Sequence, residues 1–231
     1  MSPSPPLAAA RAVDALLRDL GPQRLRRGGL VPEPLGRLSS GIPEIDRLLS
    51  GGFPRGRLSE LCGGTSSGRT SLALSLLACT TREGGVCAVV DAADGFDPPV
   101  AEAAGVELDR VLWARTPGLR PALRACERLL AAEGFALVLL DRAARGLDAP
   151  AAAWTRLART ASGSDVALVV LSLDHAAGTA AEITLELRAL RAHFTGTPPL
   201  LECLEAEAEV LRQRTGPTGH RARLRWKAGA A

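Results

Sequence analysis

Residues 63–71, "GGTSSGRTS", match the pattern of a phosphate-binding loop at every fixed position but one. In this pattern, G-x-x-x-x-G-K-S/T, the glycines let backbone N–H groups surround phosphate oxygens and the lysine reaches the outer phosphates. Arg69 occupies the lysine position, and its wide, planar guanidinium is not equivalent to a compact ammonium. The pattern predicts a degenerate nucleotide site made of Gly63, Gly64, Thr65, Ser66, Ser67, Gly68, Arg69 and Thr70.

The same letters also fit a shorter hydrolase pattern. "GTSSG" satisfies G-x-S-x-G, in which Ser66 would be a nucleophile on a strand-to-helix turn. A catalytic triad would then need a later acid and a later histidine, and Asp141 or Asp174 with His175 or His220 follow in the required order. Because this short pattern occurs often by chance and the phosphate loop explains the same residues, a serine hydrolase remains an alternative only.

Composition limits the kind of protein to which this loop can belong. The chain has 231 residues, of which 46% are hydrophobic and 23% are charged, so it can bury one substantial core in a single α/β domain. Its net charge of +3 is too small to indicate nucleic-acid binding through the overall field. The five cysteines form no C-x-x-C pair and the histidines lack metal-ligand spacing, so we expect a cytoplasmic protein with reduced thiols and no metal site. No apolar run is long enough to cross a bilayer, so we expect no membrane association.

The predicted elements around the loop suit phosphate binding. "RLSELC" predicts a strand before the loop, and "TSLALSLLACTTRE" predicts a helix whose N-terminus points at it. Further strands are predicted at "VCAVVD", "VLWA", "FALVLLD" and "VALVVLS", and such continuous apolar runs between helices indicate a parallel sheet covered on both faces. After residue 181 apolar and polar residues alternate, which predicts half-exposed antiparallel strands at one edge.

The two ends of the chain carry candidate interaction segments. Residues 1–36 are predicted to be a helical arm with a hinge, and residues 37–231 a core with C-terminal edge strands. The stripe on the arm that we expect to bind a partner consists of Val13, Leu16, Leu17 and Leu20.

The last predicted strand has basic residues at alternate positions. A basic face that binds single-stranded DNA would consist of Arg221, Arg223, Arg225 and Lys227. We expect Arg212 and Arg214 to lie beside this face on the partner strand. The alternative is a solvated edge whose charges discourage the addition of another strand.

Three stretches resemble, in order and spacing, the ATPase core of bacterial RecA. They are "SSGIPEIDRLLSGGFPRGRLSELCGGTSSGRTSLAL", "VVDAADGFDPPVAEAAGVELDRVL" and "FALVLLD", and "LAAARAVDALLRDLG" resembles the arm helix of that family. The resemblance spans residues 7–190 and implies a RecA-like α/β P-loop core, with a mainly parallel sheet flanked by helices, antiparallel edge strands and an N-terminal helical arm. A short chain in which Lys227 is the one lysine looks most like the ImuA family, RecA-related accessory proteins of bacterial mutagenic translesion synthesis.

The resemblance assigns roles to single positions. Gly63, Gly68 and Thr70 match the phosphate loop of the family, and Asp141 matches the acid that holds the water shell of the magnesium ion. A permanently charged guanidinium in an empty loop needs an anion near it, and Asp141 is the nearest carboxylate expected. Arg69 should therefore either close the site through a contact within the protein or bind phosphate weakly. ATP and Mg²⁺ would then bind weakly at most.

Four positions depart from the family pattern. Arg69 replaces the lysine, and Ala93 stands where the family has the glutamate that activates the attacking water, so no general base remains there. Val100 replaces the aromatic residue that stacks on adenine, and Leu173 replaces the polar residue that senses the γ-phosphate.

These retained and lost positions imply a protein-binding role. The resemblance implies an accessory protein of SOS mutagenesis and DNA repair, with a polymerase-like protein lacking catalysis, an error-prone polymerase, RecA and a second copy of the chain as partners. A weak ATP-dependent, DNA-binding ATPase is the first alternative, and a division inhibitor resembling the SulA family is the next. The loops "RAARGLDAPAAA" and "LDHAAGTAA" are much shorter than the DNA-binding loops of the family, which disfavours filament-type binding to single-stranded DNA.

Overall fold

The continuous apolar segments of the sequence become the central strands of one sheet. The computed structural model describes residues 36–144 and 146–227. Its strands are β1 (Arg37–Leu38), β2 (Phe53–Pro54), β3 (Leu58–Cys62), β4 (Val86–Asp91), β5 (Val111–Arg115), β6 (Phe135–Asp141), β7 (Ala167–Ser172), β8 (Ile183–Thr195), β9 (Leu200–Gln213) and β10 (Arg221–Lys227). Its helices are α1 (Pro43–Leu48), α2 (Arg69–Arg82), α3 (Pro98–Ala103), α4 (Leu119–Ala131) and α5 (Ala151–Ser162), with 3₁₀ turns at Leu108–Arg110 and Gly178–Ala180.

Eight strands form the main sheet, in the order β10-β9-β8-β3-β7-β6-β4-β5. The neighbouring strands from β8 to β5 in this order are parallel, whereas β9 pairs antiparallel with both β8 and β10. Strands β1 and β2 form a separate antiparallel pair. The predicted α/β fold, with a mainly parallel sheet, flanking helices and antiparallel strands at one edge, is confirmed.

Each face of the sheet buries its own apolar cluster. In β6, Leu137 and Leu139 belong to the cluster that includes α2, while Val138 and Leu140 belong to the cluster that includes α4 and α5. Because successive side chains of a strand point to opposite faces, a strand covered on both sides is apolar at every position. This explains why the central strands read as unbroken apolar runs.

The elements of a candidate site meet where the parallel strands end. Strand β3 ends at Cys62 and leads into the glycine loop, and β4 and β6 end at Asp91 and Asp141, which are partners in the register. Ligands of open α/β sheets bind at this edge, outside the carboxyl ends of the strands. Strands β8, β9 and β10 continue the sheet from β3, the strand that leads into the loop, because β8 pairs with β3.

The predicted arm stripe of Val13, Leu16, Leu17 and Leu20 lies outside the described residues. The division of the chain into residues 1–36 and 37–231 therefore stays a prediction.

Candidate phosphate-loop site

The glycine loop connects β3 to α2, as its pattern predicts. Gly68, with a φ of 90°, precedes the helix, and no side chain accepts a hydrogen bond from the first turn. The first turn also contains no acidic residue. Since the first N–H groups of a helix have no partners within it and lie at the positive end of its dipole, the backbone keeps the features of an anion site.

Two glycines of the loop are required by close contacts. A Cβ at Gly68 would overlap the indole ring of Trp226, which extends from β10 over the start of α2. A Cβ at Gly63 would overlap the carbonyl oxygen of Leu187 in β8. The antiparallel edge strands therefore pack directly on the phosphate loop, a contact that no periodicity of the sequence indicated.

Arg69 directs its charged group into the fold. The side chain is 8% exposed, and its Nη1 donates hydrogen bonds to the carbonyl oxygens of Gly63 and Ser172, the latter at 2.9 Å. Burial lowers the pKa of Arg69, and the negative charge of Asp141 opposes this shift. Among the ion pairs of the described residues none joins Arg69 to Asp141, so the partners of the guanidinium are carbonyl dipoles rather than the carboxylate expected from the sequence.

Asp91 and Asp141 form the acidic side of the site. Asp91 is buried, and both of its oxygens accept hydrogen bonds from backbone N–H groups, those of Ala93, Gly95 and Phe96, each at 3.1 Å. Asp141 accepts one hydrogen bond from the backbone N–H of Ala143 at 2.9 Å. Burial raises the pKa of Asp141, and the charge of Asp91 acts in the same direction.

The segment after β4 offers no free carboxylate in place of the glutamate that the RecA resemblance expects at position 93. Asp91 is occupied by the backbone of its own loop, and Asp94 is exposed and pairs with Arg115 at 2.6 Å. Asp97 caps the N-terminus of α3 by accepting a hydrogen bond at 3.2 Å. Each carboxylate of this loop therefore already has a structural partner.

A cavity of about 340 Å³ lies between the phosphate loop and the hairpin of β8 and β9. Its loop side consists of Gly64, Ser66, Ser67, Gly68, Arg69, Thr70 and Ser71. Its hairpin side consists of Ala192, Phe194, Leu201 and Leu204. One wall thus presents N–H and hydroxyl donors, and the opposite wall is entirely apolar.

These residues do not fit a nucleoside triphosphate well. The cation at the lysine position binds carbonyl groups, and the apolar wall offers no hydrogen-bonding side chain to a ribose or a phosphate. Val100, at the position of the adenine-stacking residue in the resemblance, is 52% exposed on α3 and does not line the cavity. The glycine backbone of a phosphate site is present, while its charged and stacking side chains are not.

The comparison with known proteins places this geometry in a family. The family model described as the RecA N-terminal domain matches residues 12–153. The chain belongs to the RecA N-terminal domain family. RecA of Lactococcus lactis subsp. cremoris is 34% identical over 139 residues, which cover 59% of this chain and 36% of that protein. RecA of Synechocystis sp. is 35% identical over 120 residues, covering 52% of this chain and 34% of that protein.

The matched relatives are much longer than the region they share with this chain, which spans about a third of their length. The crystal structure of the RadB recombinase superposes with a TM-score of 0.62 at 23% identity, covering 80% of this chain and 94% of that one. This likeness shows the fold. Together these matches confirm the RecA-like core, and none of them distinguishes the ImuA family within it.

In this RecA-family chain the basic strand β10 lies opposite acidic residues. Its register places Arg221, Arg223 and Arg225 directly opposite Glu209, Glu207 and Glu205 of β9. Arg221 is within 3.3 Å of Glu207 and 3.0 Å of Glu209. Of the two arginines expected on the partner strand, Arg212 lies in β9 but beyond the residues paired with β10, opposite Thr184 of β8, and Arg214 follows the end of β9.

The acidic strand leads to a prediction about single-stranded DNA. We expect the chain to bind a fluorescent oligonucleotide weakly at about 150 mM salt, because the glutamates offset the basic side chains beside them. Replacing Glu205, Glu207 and Glu209 by Gln should tighten binding. The slope of the logarithm of the binding constant against the logarithm of the salt concentration should steepen by roughly 0.7 for each additional phosphate that the arginines neutralise. Equal affinity and equally steep salt dependence in both proteins would show that the glutamates do not limit binding.

Arg142 connects the two short segments that correspond to the DNA loops of the RecA resemblance. Its buried guanidinium donates to the carbonyl oxygen of Leu147 at 2.9 Å and lies within 3.4 Å of Asp148, both in the segment after β6. It also lies 3.7 Å from Asp174 in the segment after β7. A single buried side chain thus holds both segments against the sheet.

The residues of the alternative hydrolase triad are not brought together. His175 contacts the Cys62 thiol at 3.5 Å and Glu186 at 3.9 Å, and no hydrogen bond of the described residues joins a histidine to Ser66. Burial raises the pKa of Cys62 to about 12, so this thiol is protonated and is not a nucleophile either.

Across residues 36–144 and 146–227, no helix has the length and apolarity needed to span a bilayer. In the same residues no three His, Cys, Asp or Glu side chains are grouped so as to hold a metal ion.

Proposed function

We propose that this RecA-family chain is a cytoplasmic accessory protein of SOS mutagenesis and translesion DNA repair that acts by binding other proteins. Its partners are a polymerase-like protein lacking catalysis, an error-prone polymerase, RecA and a second copy of the chain. The observation that carries this proposal is the position of Arg69, whose charged group binds the carbonyls of Gly63 and Ser172 inside the fold. A hydrolytic site requires that cation at the phosphates.

The segment after β4 supports the same proposal. Ala93 carries no titratable group, and the neighbouring Asp91 is held by three backbone N–H groups. A positioned general base contributes roughly 10²–10⁴-fold to a rate, so its loss alone removes most turnover. What remains is a RecA-like surface that can bind partners without a hydrolytic cycle.

A weak ATP-dependent, DNA-binding ATPase is the second candidate, and one observation favours it. The N-terminus of α2 is uncapped and faces a glycine loop, which is the backbone arrangement of an anion site. Binding of a fluorescent ATP analogue with micromolar affinity would support this candidate.

The proposal is tested by affinity capture from cells with damaged DNA, with the bound proteins identified by mass spectrometry. We expect polymerase components or RecA to be recovered with the intact chain.

Leu16→Asp with Leu20→Asp, which places charges on the predicted arm stripe, should abolish binding to RecA or to a second copy. The thermal midpoint of the core should remain nearly unchanged.

Other results would lead to different conclusions. Recovery of a division protein alone would favour the division inhibitor. If the arm variant unfolds at a much lower temperature and still binds every partner, the arm is part of the core and has no role in recognition.

A further inference from the structure

We propose that the outer edge of β10 binds an extended acidic segment of a partner protein, which adds a strand to the sheet in the groove beside α2. This inference rests on the proposed function, because it assigns a surface and a sequence pattern to the binding of a partner. The edge groove has a volume of about 510 Å³, with residues 223–227 of β10 on one side and a stripe of α2 on the other.

The backbone of β10 has unused hydrogen-bonding groups on its outer side. In the described residues, β10 ends the eight-stranded order and pairs with β9 alone. The N–H of Val210 donates to the carbonyl oxygen of His220 at 3.0 Å. Because alternate residues of an antiparallel strand direct their backbone groups to opposite sides, those of Arg223 and Arg225 point away from β9. Such a row of N–H and C=O groups is a template for a further strand.

Helix α2 supplies a surface on which an added strand can pack. Five residues of one helix face line the edge groove: Ser71, Leu74, Ser75, Ala78 and Arg82. Leu224 and Trp226 of β10 line it from the other side. Since every second side chain of an added strand would point toward α2, we expect apolar residues at those alternate positions.

The charge of the edge groove is complementary to an acidic strand. Its lining has one acid, Glu44, and four cations: Arg82, Arg223, Arg225 and Lys227. Glu44 pairs with Arg47 at 3.3 Å, whereas no ion pair of the described residues includes any of the four cations. Arg82 and Arg225 each use Nε in a hydrogen bond within the protein, which leaves their Nη groups for a ligand.

The glutamates of β9 do not neutralise the middle of this edge. Glu207, opposite Arg223, is within 3.3 Å of Arg221. Glu205, opposite Arg225, is within 3.1 Å of His193. Opposite charges on neighbouring strands stabilise their pairing, so the outward side chains of an added strand should be Asp or Glu. The expected segment therefore alternates acidic and apolar residues.

The same features disfavour other occupants of the edge groove. The β10 edge of a second copy would bring arginines against arginines, and its β5 edge contains Arg115 and no acidic residue. Residues 1–35 of the chain itself contain five arginines and three acidic residues, which is the wrong sign of net charge. The phosphates of a nucleic acid accept hydrogen bonds but donate none, so they cannot pair with the carbonyl groups of the β10 edge. A peptide backbone offers both partners.

Random peptides displayed on phage and selected on the whole chain give the first test. We expect the selected peptides to contain at least two acidic residues that alternate with apolar ones. A labelled synthetic peptide of the selected sequence should bind at least about 10-fold more tightly than a peptide of the same composition in which the acidic and apolar residues are grouped in two blocks.

Methylation of the peptide backbone tests whether the peptide binds as a strand. N-methylation of one alternate set of residues should weaken binding by at least about 10-fold, because it removes the N–H groups that face β10. N-methylation of the other set should leave the affinity within about 3-fold, because those groups point away. This comparison uses the unchanged protein, so it does not depend on the folding of a variant.

Matched variants of the protein locate the site. Arg223→Glu with Arg225→Glu should abolish binding of the acidic peptide and create binding of its counterpart with Lys at each acidic position. Arg120→Glu with Arg124→Glu is the control, because both residues are exposed on α4 and do not line the groove. Arg223→Pro should bind the acidic peptide at least about 10-fold more weakly than Arg223→Ala, since only proline removes the outward N–H.

The proposal is overturned if the selected peptides show no alternation of acidic and apolar residues, if both methylated sets bind alike, or if the α4 control loses binding as much as the β10 variant. Displacement of the peptide by a single-stranded oligonucleotide at equal concentration would also overturn it, in favour of a nucleic-acid site. Failure of these tests with polymerase components still captured by the chain would leave the proposed function intact and place the partner surface elsewhere.

Discussion

Arg69→Lys with Ala93→Glu should hydrolyse ATP at least about 100-fold faster than Arg69→Lys alone, because a general base contributes roughly 10²–10⁴-fold. Lysine at position 69 restores a compact cation that can reach the phosphates. It does not supply a group that accepts a proton from the attacking water. The measurement is phosphate release under single-turnover conditions with each variant.

The control for this comparison is Arg69→Lys with Ala93→Gln, which has nearly the same shape as the glutamate variant and no basic carboxylate. It should behave like the single variant. Equal turnover in the single and the glutamate double variant would refute the role assigned to position 93. Measurable and equal turnover in both variants would instead assign the inactivity of the parent chain to Arg69.

Trp154→Ala should lower the free energy of unfolding by about 3–5 kcal/mol, the usual cost of removing a large buried aromatic side chain. The indole of Trp154 is 1% exposed and packs between α5 and the sheet with Leu157 and Val170. Its ring also lies 5.8 Å from the guanidinium carbon of Arg142, so the substitution removes a cation–π contact from a buried charge. Urea denaturation followed by circular dichroism measures the change.

Trp113→Ala serves as the comparison, because Trp113 is only partly buried on the edge strand β5. The centroid of its ring lies 5.5 Å from that of the Phe96 ring. Its loss should cost clearly less than the loss of Trp154. If Trp154→Ala instead leaves stability within about 1 kcal/mol of the parent and abolishes binding to single-stranded DNA, Trp154 is a base-stacking residue and its packing role is wrong.

Much of the fold follows from local patterns that the sequence displays directly. The strand "FALVLLD" has the bounds expected, Phe135–Asp141, because a strand covered on both faces has no polar position that could blur its limits. The change to alternating residues after position 181 was equally informative, and β8 buries Leu185 and Leu187 while exposing Arg188. Such periodicities reflect burial of neighbouring residues and require no knowledge of distant contacts.

The candidate site was only partly predictable, because part of it depends on contacts between residues that are distant along the chain. The spacing of the glycines identified the loop, since that backbone path depends on residues within nine positions. Strand register was not predictable in the same way. Which residues face Arg221, Arg223 and Arg225 depends on how β9 and β10 align, and a slip of one residue would have placed apolar residues there in place of glutamates.

The sequence by itself determined the class of this protein: a RecA-like α/β core, a phosphate loop with arginine at its lysine position, and an alanine where the RecA resemblance expects a base. The tertiary structure decided what that loop faces. The carbonyl oxygen of Ser172, 103 positions along the chain, accepts a hydrogen bond from Arg69. Trp226 of the last strand packs on Gly68, and the β8–β9 hairpin forms the apolar wall of the cavity. These contacts join residues that are distant along the chain, so no local pattern encodes them, and they arise only when the sheet brings its edge strands beside the loop.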